Sequence, residues 1–138
     1  MSELRQRALR LLARREHART ELRQKLAPHA ESEEALDALL DDLAARHLLS
    51  DTRYAEMRIS SRGSRFGNAR LAQELKNRGV ADELVDDALA GAGDELPRAY
   101  AIWQRKFGTL PADAAERARQ TRHLLYRGFS SDVIRRIL

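Results

Sequence analysis

The residues most able to carry catalysis in this chain are four histidines and eight serines, and neither set is arranged for it. No two histidines lie three or four residues apart, and there is no H-E-x-x-H motif of the kind that binds zinc on a helix. No serine occupies the G-x-S-x-G turn that exposes a nucleophile. The chain has no cysteine, which excludes thiol catalysis, disulfides and thiolate metal sites. We therefore expect no catalytic residue, no metal, no cofactor and no enzymatic activity.

Arginine is the residue type whose chemistry remains to be explained. The chain carries 25 Lys and Arg against 21 Asp and Glu, with a net charge of +4 and a pI of about 9.9. A pI above 9 is typical of proteins that bind nucleic acids, and the planar guanidinium group binds phosphate or carboxylate through two parallel hydrogen bonds. The candidates for contact with a partner or with DNA are Arg14, Arg15, Arg19, Arg23, Arg58, Arg62, Arg65, Arg70, Lys76, Arg78, Arg105, Lys106, Arg122 and Arg127.

Charge alternates in blocks along the chain, which suggests repeated units that each have a basic and an acidic part. This pattern leaves two interpretations of the arginines open. They form ion pairs with the acidic third helix of each repeat, or they contact a polyanion or an acidic groove of another protein. The net charge is +5 over residues 1–25, −6 over 26–51, +5 over 52–80, −6 over 81–97 and +6 over 98–138.

An internal repeat positions these residues. The stretch "QELKNRGV" ends in an Arg-Gly corner at Gly79, and "RHLLYRGF" repeats it 49 residues later at Gly128. Glycine permits a positive φ at little steric cost, so we expect each corner to end a helix and to turn the chain so that two helices share a core. Ala30 stands at the equivalent place earlier in the chain. The pattern predicts three degenerate three-helix repeats over residues 1–50, 51–93 and 94–138.

Composition favours an all-α protein. Hydrophobic residues make up 43% of the chain and aromatic residues 5%, and the dominant Ala, Leu, Arg and Glu all favour helix. The predicted helices cover residues 3–16, 19–27, about 33–46, a helix after residue 51, 69–77, 83–90, 100–107, 113–126 and a last short helix. The predicted N-caps are Ser32, Asp51, Asn68, Asp82 and either Ser130 or Ser131.

The chain carries no sign of a membrane or secretory segment. No apolar run approaches the roughly 20 residues that a membrane span needs, and the basic N-terminus has no uninterrupted apolar stretch. We therefore expect a cytoplasmic protein with no membrane contact.

Four blocks, in this order, resemble the RecX family of bacterial regulators of the RecA recombinase. They are "ALRLLARREHARTELRQKLA" (8–27), "LLSDTRYAEMRI" (48–59), "FGNARLAQELKNRGVADELVDDAL" (66–89) and "RKFG…RQTRHLLYRGFSSDVIRRIL" (105–138). The resemblance covers almost the whole chain and implies an elongated, curved array of three-helix repeats. One departure is Ala18, where the family often has Ser or Thr before the second helix. We expect that helix to begin with a cap weaker by about 1 kcal/mol.

The resemblance implies a non-enzymatic regulator that binds RecA and the RecA–ssDNA filament. Such a regulator lowers the ATP hydrolysis, co-protease activity and strand exchange of RecA, in DNA repair, homologous recombination and the SOS response. Some family members also bind DNA. An alternative function is therefore a basic nucleic-acid-binding module that contacts single- or double-stranded DNA directly, and a helical adaptor for another acidic partner is a third. We expect a monomer.

Overall fold

The computed structural model describes residues 2–138, which form nine α-helices. No helix in this part of the chain has the length and apolar character needed to cross a bilayer. The helices are α1 Glu3–Arg14, α2 Arg19–Leu26, α3 Glu33–Ala45, α4 Asp51–Arg62, α5 Asn68–Asn77, α6 Asp82–Gly91, α7 Leu96–Lys106, α8 Ala114–Tyr126 and α9 Ser131–Ile137, with a 3₁₀ turn Ala27–His29 after α2.

Each successive set of three helices encloses its own hydrophobic core. Helices α1–α3 pack around leucines, α4–α6 around leucines and Tyr54, and α7–α9 around Trp103 and Leu124. The protein exposes 8294 Å², whereas a compact protein of its mass exposes about 7,300 Å². Three cores in a row account for the excess. The prediction of an all-α array of tandem three-helix repeats is confirmed.

The first two repeats are joined by a cap that crosses between them. Helix α2 begins after Ala18, which has no capping side chain. The Asp51 Oδ1 atom accepts a hydrogen bond from the backbone N–H of Arg19 at 2.8 Å and so caps α2 from the next repeat. Our prediction that Asp51 caps its own helix is wrong, because the Ser50 side chain accepts from Arg53 N–H and caps α4. The expected weak start of α2 is therefore compensated by a carboxylate 32 residues away in sequence.

The second and third repeats are joined in the same way. Helix α5 begins after Gly67, again without a side-chain cap. The buried Glu95 carboxylate accepts hydrogen bonds from the N–H groups of Asn68 at 2.6 Å and Ser130 at 3.3 Å, so one side chain caps α5 and also binds the residue before α9. Asn68 was predicted to be a cap and is not. Its side-chain oxygen accepts from the Arg98 guanidinium at 2.8 Å.

The remaining caps divide into confirmed and wrong predictions. The side chains of Ser32 and Ser130 accept from backbone N–H groups three residues on, as predicted. Asp82 does not cap α6, because α6 begins after Ala81 and Asp82 lies within its first turn. Helix α8 has its own cap in Asp113, whose side chain accepts from the N–H of Glu116 at 2.8 Å.

The two Arg-Gly corners have positive φ, 82° at Gly79 and 98° at Gly128, so their predicted role in ending helices is confirmed. They also lie directly against the neighbouring repeat. A Cβ atom on Gly79 would lie 2.3 Å from the Thr20 hydroxyl oxygen on α2, and one on Gly128 would lie 2.4 Å from Arg70 Cβ on α5. Each corner therefore packs against the second helix of the preceding repeat at a distance that only glycine permits.

Substituting glycines separates the two roles of a corner. Gly93→Ala imposes a positive φ of 83° on alanine in open space and is expected to lower the free energy of unfolding by about 1–2 kcal/mol. Gly128→Ala carries the same backbone cost and in addition overpacks Arg70, for a further loss of about 1–3 kcal/mol. Urea denaturation followed by circular dichroism measures both.

Gly91→Ala is the matched control, because it adds a methyl group at the end of α6 with no atom within 4 Å and no positive φ. It is expected to be neutral or stabilising by up to about 1 kcal/mol. Equal losses for Gly93→Ala and Gly128→Ala would contradict the packing role of the corner.

Candidate polyanion-binding surface

The basic residues of the first repeat are largely neutralised within the protein. Arginines of α2 and of the segment before it reach across to acidic residues, mainly on α3, as the first interpretation of the charge blocks expected. The ion pairs are Arg15–Glu21 at 2.5 Å, Arg19–Asp41 at 2.6 Å and Arg23–Asp37.

Glu21 is the centre of this neutralisation at the contact between the first two repeats. Its side chain is 12% exposed and lies within 4 Å of three cations, Arg15 at 2.5 Å, Lys25 at 3.6 Å and Arg78 at 3.8 Å. Burial raises the pKa of Glu21, but hydrogen bonding to Arg15 and the charges of Arg15, His17 and Lys25 more than offset that effect and lower the pKa to about 2. The carboxylate is therefore a structural counter-charge.

The equivalent contact between the second and third repeats carries the opposite charge. Moving 49 residues along the chain places Arg70 where Glu21 stood and Arg127 where Arg78 stood. Both contacts are made by a corner glycine against a second helix. The same backbone arrangement therefore places a carboxylate among cations at the contact between the first two repeats. At the contact between the second and third repeats, an arginine stands in place of that carboxylate.

Four guanidinium groups surround the buried ring of Phe66, which is 8% exposed. We call these four residues the arginine cluster. Arg70 lies between two aromatic rings, because its guanidinium is also 5.4 Å from the ring of Tyr126, a side chain that is 74% exposed. The guanidinium carbons of the cluster lie 4.6 Å (Arg62), 5.6 Å (Arg65), 4.3 Å (Arg70) and 5.5 Å (Arg127) from the Phe66 centroid.

Only one member of the arginine cluster is paired with an acid. Arg62 donates two hydrogen bonds to Glu74, at 2.5 and 2.9 Å. Burial raises the pKa of Glu74, but the Arg62 hydrogen bonds and the nearby arginine charges lower it below its ordinary value. Among residues 2–138, no acidic side chain lies within 4.0 Å of Arg65, Arg70 or Arg127. Their charge is available to an external anion.

The other predicted candidates lie in several places. Arg105 and Lys106 line a cavity that Arg65 and Arg127 also line, which extends the arginine cluster onto α7. Arg58 is half-buried on α4 and acts on Glu74 through its charge. The structure does not bring the other candidates to the cluster. Arg14 and Arg122 are exposed on α1 and α8, and Lys76 faces Asp82 at 3.9 Å. The candidates that lie at the contact between the first two repeats are Arg15, Arg19, Arg23 and Arg78.

Three residues of this surface were missed by the sequence analysis, namely Phe66, Tyr126 and His123. Comparing positions 49 residues apart in the sequence would have pointed to two of them. Phe66 corresponds to His17 and Tyr126 to Asn77. Aromatic residues that replace polar ones beside uncompensated arginines indicate a binding surface for flat or anionic groups.

The acid sensitivity of the first contact is a testable consequence of the Glu21 pairing. Its pKa in the folded protein lies below the ordinary value of 4.5, so its stabilising contribution is present above about pH 4.5 and is lost as the pH falls towards about 2. Glu21→Gln is therefore expected to be less stable than the unsubstituted protein at neutral pH. The difference should shrink as the pH falls through that window, in urea denaturation series followed by circular dichroism.

The exposed Glu56 on α4 supplies the control substitution, Glu56→Gln. A stability difference for Glu21→Gln that stays constant from neutral pH to about pH 2 would show that the carboxylate contributes through packing and not through its charge.

Comparison with known proteins finds relatives over nearly the whole chain. The family model of the first three-helix domain of RecX matches residues 5–43, that of the second matches 50–89, and that of the third matches 94–138. The Regulatory protein RecX of Chromobacterium violaceum is 53% identical over 135 residues, covering 98% of this chain and 88% of that protein. The Regulatory protein RecX of Ralstonia nicotianae is 51% identical over 136 residues, covering 98% and 86%.

Solved structures agree in fold. The crystal structure of RecX from Lactobacillus salivarius superposes with a TM-score of 0.86 at 21% identity, covering 98% of this chain and 92% of that one. A second crystal structure of a regulatory protein RecX superposes with a TM-score of 0.81 at 22% identity, covering 98% and 71%. Three consecutive domain matches and about half of the residues identical to full-length relatives lead to one conclusion. The chain belongs to the RecX family of regulatory proteins.

Proposed function

We propose that this protein acts in the cytoplasm as a monomer that binds the RecA recombinase, above all the RecA–ssDNA filament. It acts by binding and not by catalysis, and it lowers the ATP hydrolysis, co-protease activity and strand exchange of RecA, thereby modulating DNA repair and the SOS response. The observation that carries the proposal is the match to all three RecX domains in order, together with 53% identity to a full-length regulatory relative.

The fold supports binding to a long partner. Three separate cores arranged in tandem give an extended surface, and repeat arrays of this kind bind partners along their length. A ligand that contacts neighbouring protomers of a filament binds some of their arrangements better than others. It therefore favours those arrangements and opposes the motions of the ATP cycle.

The arginine cluster is the proposed contact for acidic or phosphate groups of the filament. Three of its guanidinium groups have no acidic partner within residues 2–138, so binding an anion does not require an internal ion pair to break. The other basic candidates that lie apart from the cluster, Arg14 and Arg122, are proposed to make secondary contacts at other places along the array.

Direct contact with DNA is the second candidate function. The observation that favours it is the exposed Tyr126 ring stacked on Arg70 beside uncompensated arginines. Nucleic-acid-binding proteins use aromatic rings to stack on unpaired bases and arginines to bind the backbone. On this alternative the protein competes with RecA for DNA.

The DNA-dependent hydrolysis of ATP by RecA on long single-stranded DNA distinguishes the two functions. The protein is added far below the amount of RecA, with DNA in excess of what the protein is able to cover. Action on the filament predicts strong inhibition at a small molar ratio, because each bound molecule affects many protomers. Inhibition that begins only when the DNA is saturated would contradict filament binding and favour competition for DNA.

Charge reversal at Arg70 tests the proposed contact. Arg70→Glu is expected to weaken binding to the filament by about tenfold or more, since an attractive charge becomes a repulsive one. The folded state should lose only modest stability. The substitution ends the contact of Arg70 with Phe66 and places a carboxylate one turn from Glu74, whereas glutamate at the equivalent position 21 pairs with the corner arginine in the first contact. Filament affinity and the unfolding midpoint are measured together.

Arg10→Glu, at an exposed position on α1, is the matched control for the change of net charge. Arg65→Glu should behave like Arg70→Glu. Filament affinity that is unchanged in both Arg65→Glu and Arg70→Glu would remove the arginine cluster from the interface.

A further inference from the structure

Four of the six side chains that line a small cavity beside the arginine cluster are cationic. Its volume is about 270 Å³, and it lies where the loop after α4, helix α7 and the end of helix α8 meet. Among residues 2–138, no acidic side chain lines it. The lining residues are Arg65, Ile102, Arg105, Lys106, His123 and Arg127.

Two polar atoms of these lining side chains have no hydrogen-bond partner within residues 2–138. They are Arg127 Nε and His123 Nε2, and both are enclosed by protein. Buried donors and acceptors are nearly always paired in folded proteins, and these two unpaired atoms belong to side chains that line the same cavity.

The cationic groups are held in place by contacts that leave their charge uncompensated. Arg105 donates to the backbone carbonyl of Ser64 at 3.2 Å. Arg65 and Arg127 lie 5.6 and 5.5 Å from the Phe66 centroid. At the first contact, in comparison, Glu21 supplies a counter-charge to Arg15 and Arg78 within the protein. Positioned donors without a counter-charge lose little freedom when an anion binds.

His123 is a further side chain of this cavity whose environment disfavours a positive charge. Its ring stands edge-on to Phe107 at 5.5 Å. Burial lowers the pKa of His123, and the charges of Arg127, Lys106 and Arg119 lower it further. A bound anion would offset those charges and allow His123 to become a cationic donor. A negative ligand near Arg127, Lys106 and Arg119 would therefore raise the pKa of His123.

We propose that this cavity is a binding site for a phosphate group. A phosphate ester carries between one and two negative charges and several strong acceptor oxygens, which matches several converging cations better than a single carboxylate does. This inference does not rest on RecA binding, because it concerns an anion bound by the protein alone.

The phosphate has two possible sources, which share the same chemistry. One is the backbone of a single-stranded nucleic acid. The other is a free phosphate or the phosphate of a mononucleotide. Tyr126 separates them: it stacks on Arg70 within the neighbouring cluster, so a strand with one phosphate in the cavity is expected to place a base on this exposed ring.

The test measures binding by the full chain without RecA. Inorganic phosphate is titrated by calorimetry in a phosphate-free buffer, and a short labelled deoxythymidine oligonucleotide is titrated by fluorescence anisotropy. We expect saturable one-to-one binding of phosphate, weakened about tenfold or more by Arg105→Gln and by Arg127→Gln, since each removes a charge-assisted hydrogen bond. Arg10→Gln should bind as the unsubstituted protein does, and unfolding midpoints confirm that the variants are folded.

The two sources give different results. A strand as ligand predicts that phosphate competes with the oligonucleotide and that Tyr126→Ala weakens only oligonucleotide binding. A free phosphate predicts tighter binding of phosphate than of the oligonucleotide and no effect of Tyr126→Ala. The proposal is overturned if phosphate shows no saturable binding, or if Arg105→Gln and Arg127→Gln, both folded, bind phosphate as tightly as the unsubstituted protein. Either result leaves the RecA proposal to its own ATPase assay.

Discussion

The start of the second helix in each of the first two repeats depends on a carboxylate from the next repeat. Helices α2 and α5 begin without a side-chain cap of their own, and Asp51 and Glu95 supply the missing acceptors. A helix start that lacks an acceptor leaves backbone N–H groups unpaired, at a cost of about 1 kcal/mol or more for each buried group. Local helix formation and the packing of neighbouring repeats are therefore one event. The corner glycines permit the close approach that this cap requires.

The packing of neighbouring repeats determines which side chains meet. One difference between the two contacts, Glu21 in the first and Arg70 in the second, then determines the charge of each contact. Glu21 collects three cations and stabilises the first contact. Arg70, at the equivalent place, adds a fourth guanidinium around Phe66. Arginine over an aromatic ring gains about 0.5–1 kcal/mol at an exposed site, which offsets part of the repulsion between like charges. This departure from the arrangement in the first contact is the observation on which the proposed binding surface rests.

The sequence predicted what depends on local patterns and missed what depends on packing. Leucine spacing and the Arg-Gly corners predicted the helices and their repetition, because both are encoded within a few residues. The predicted caps at Asp51, Asn68 and Asp82 were wrong. The Asp51 side chain caps a helix of another repeat, the Asn68 side chain binds Arg98, and α6 begins one residue earlier than predicted, so that Asp82 lies inside it. The arginines were not sorted into paired and unpaired, since Arg19 pairs with Asp41, 22 residues away. The repeat limits 1–50, 51–93 and 94–138 stay predictions.

The position of Glu95 connects the architecture to the candidate site. Its carboxylate holds the starts of α5 and α9 together, and the arginine cluster is carried by the residues around those two starts. Arg65 and Arg70 lie on either side of the beginning of α5, and Arg127 lies just before α9. The proposed anion would therefore contact Arg65 of the second repeat and Arg127 of the third. Because any ligand that binds only the assembled contact stabilises it, such an anion would also stabilise the relative orientation of the two repeats.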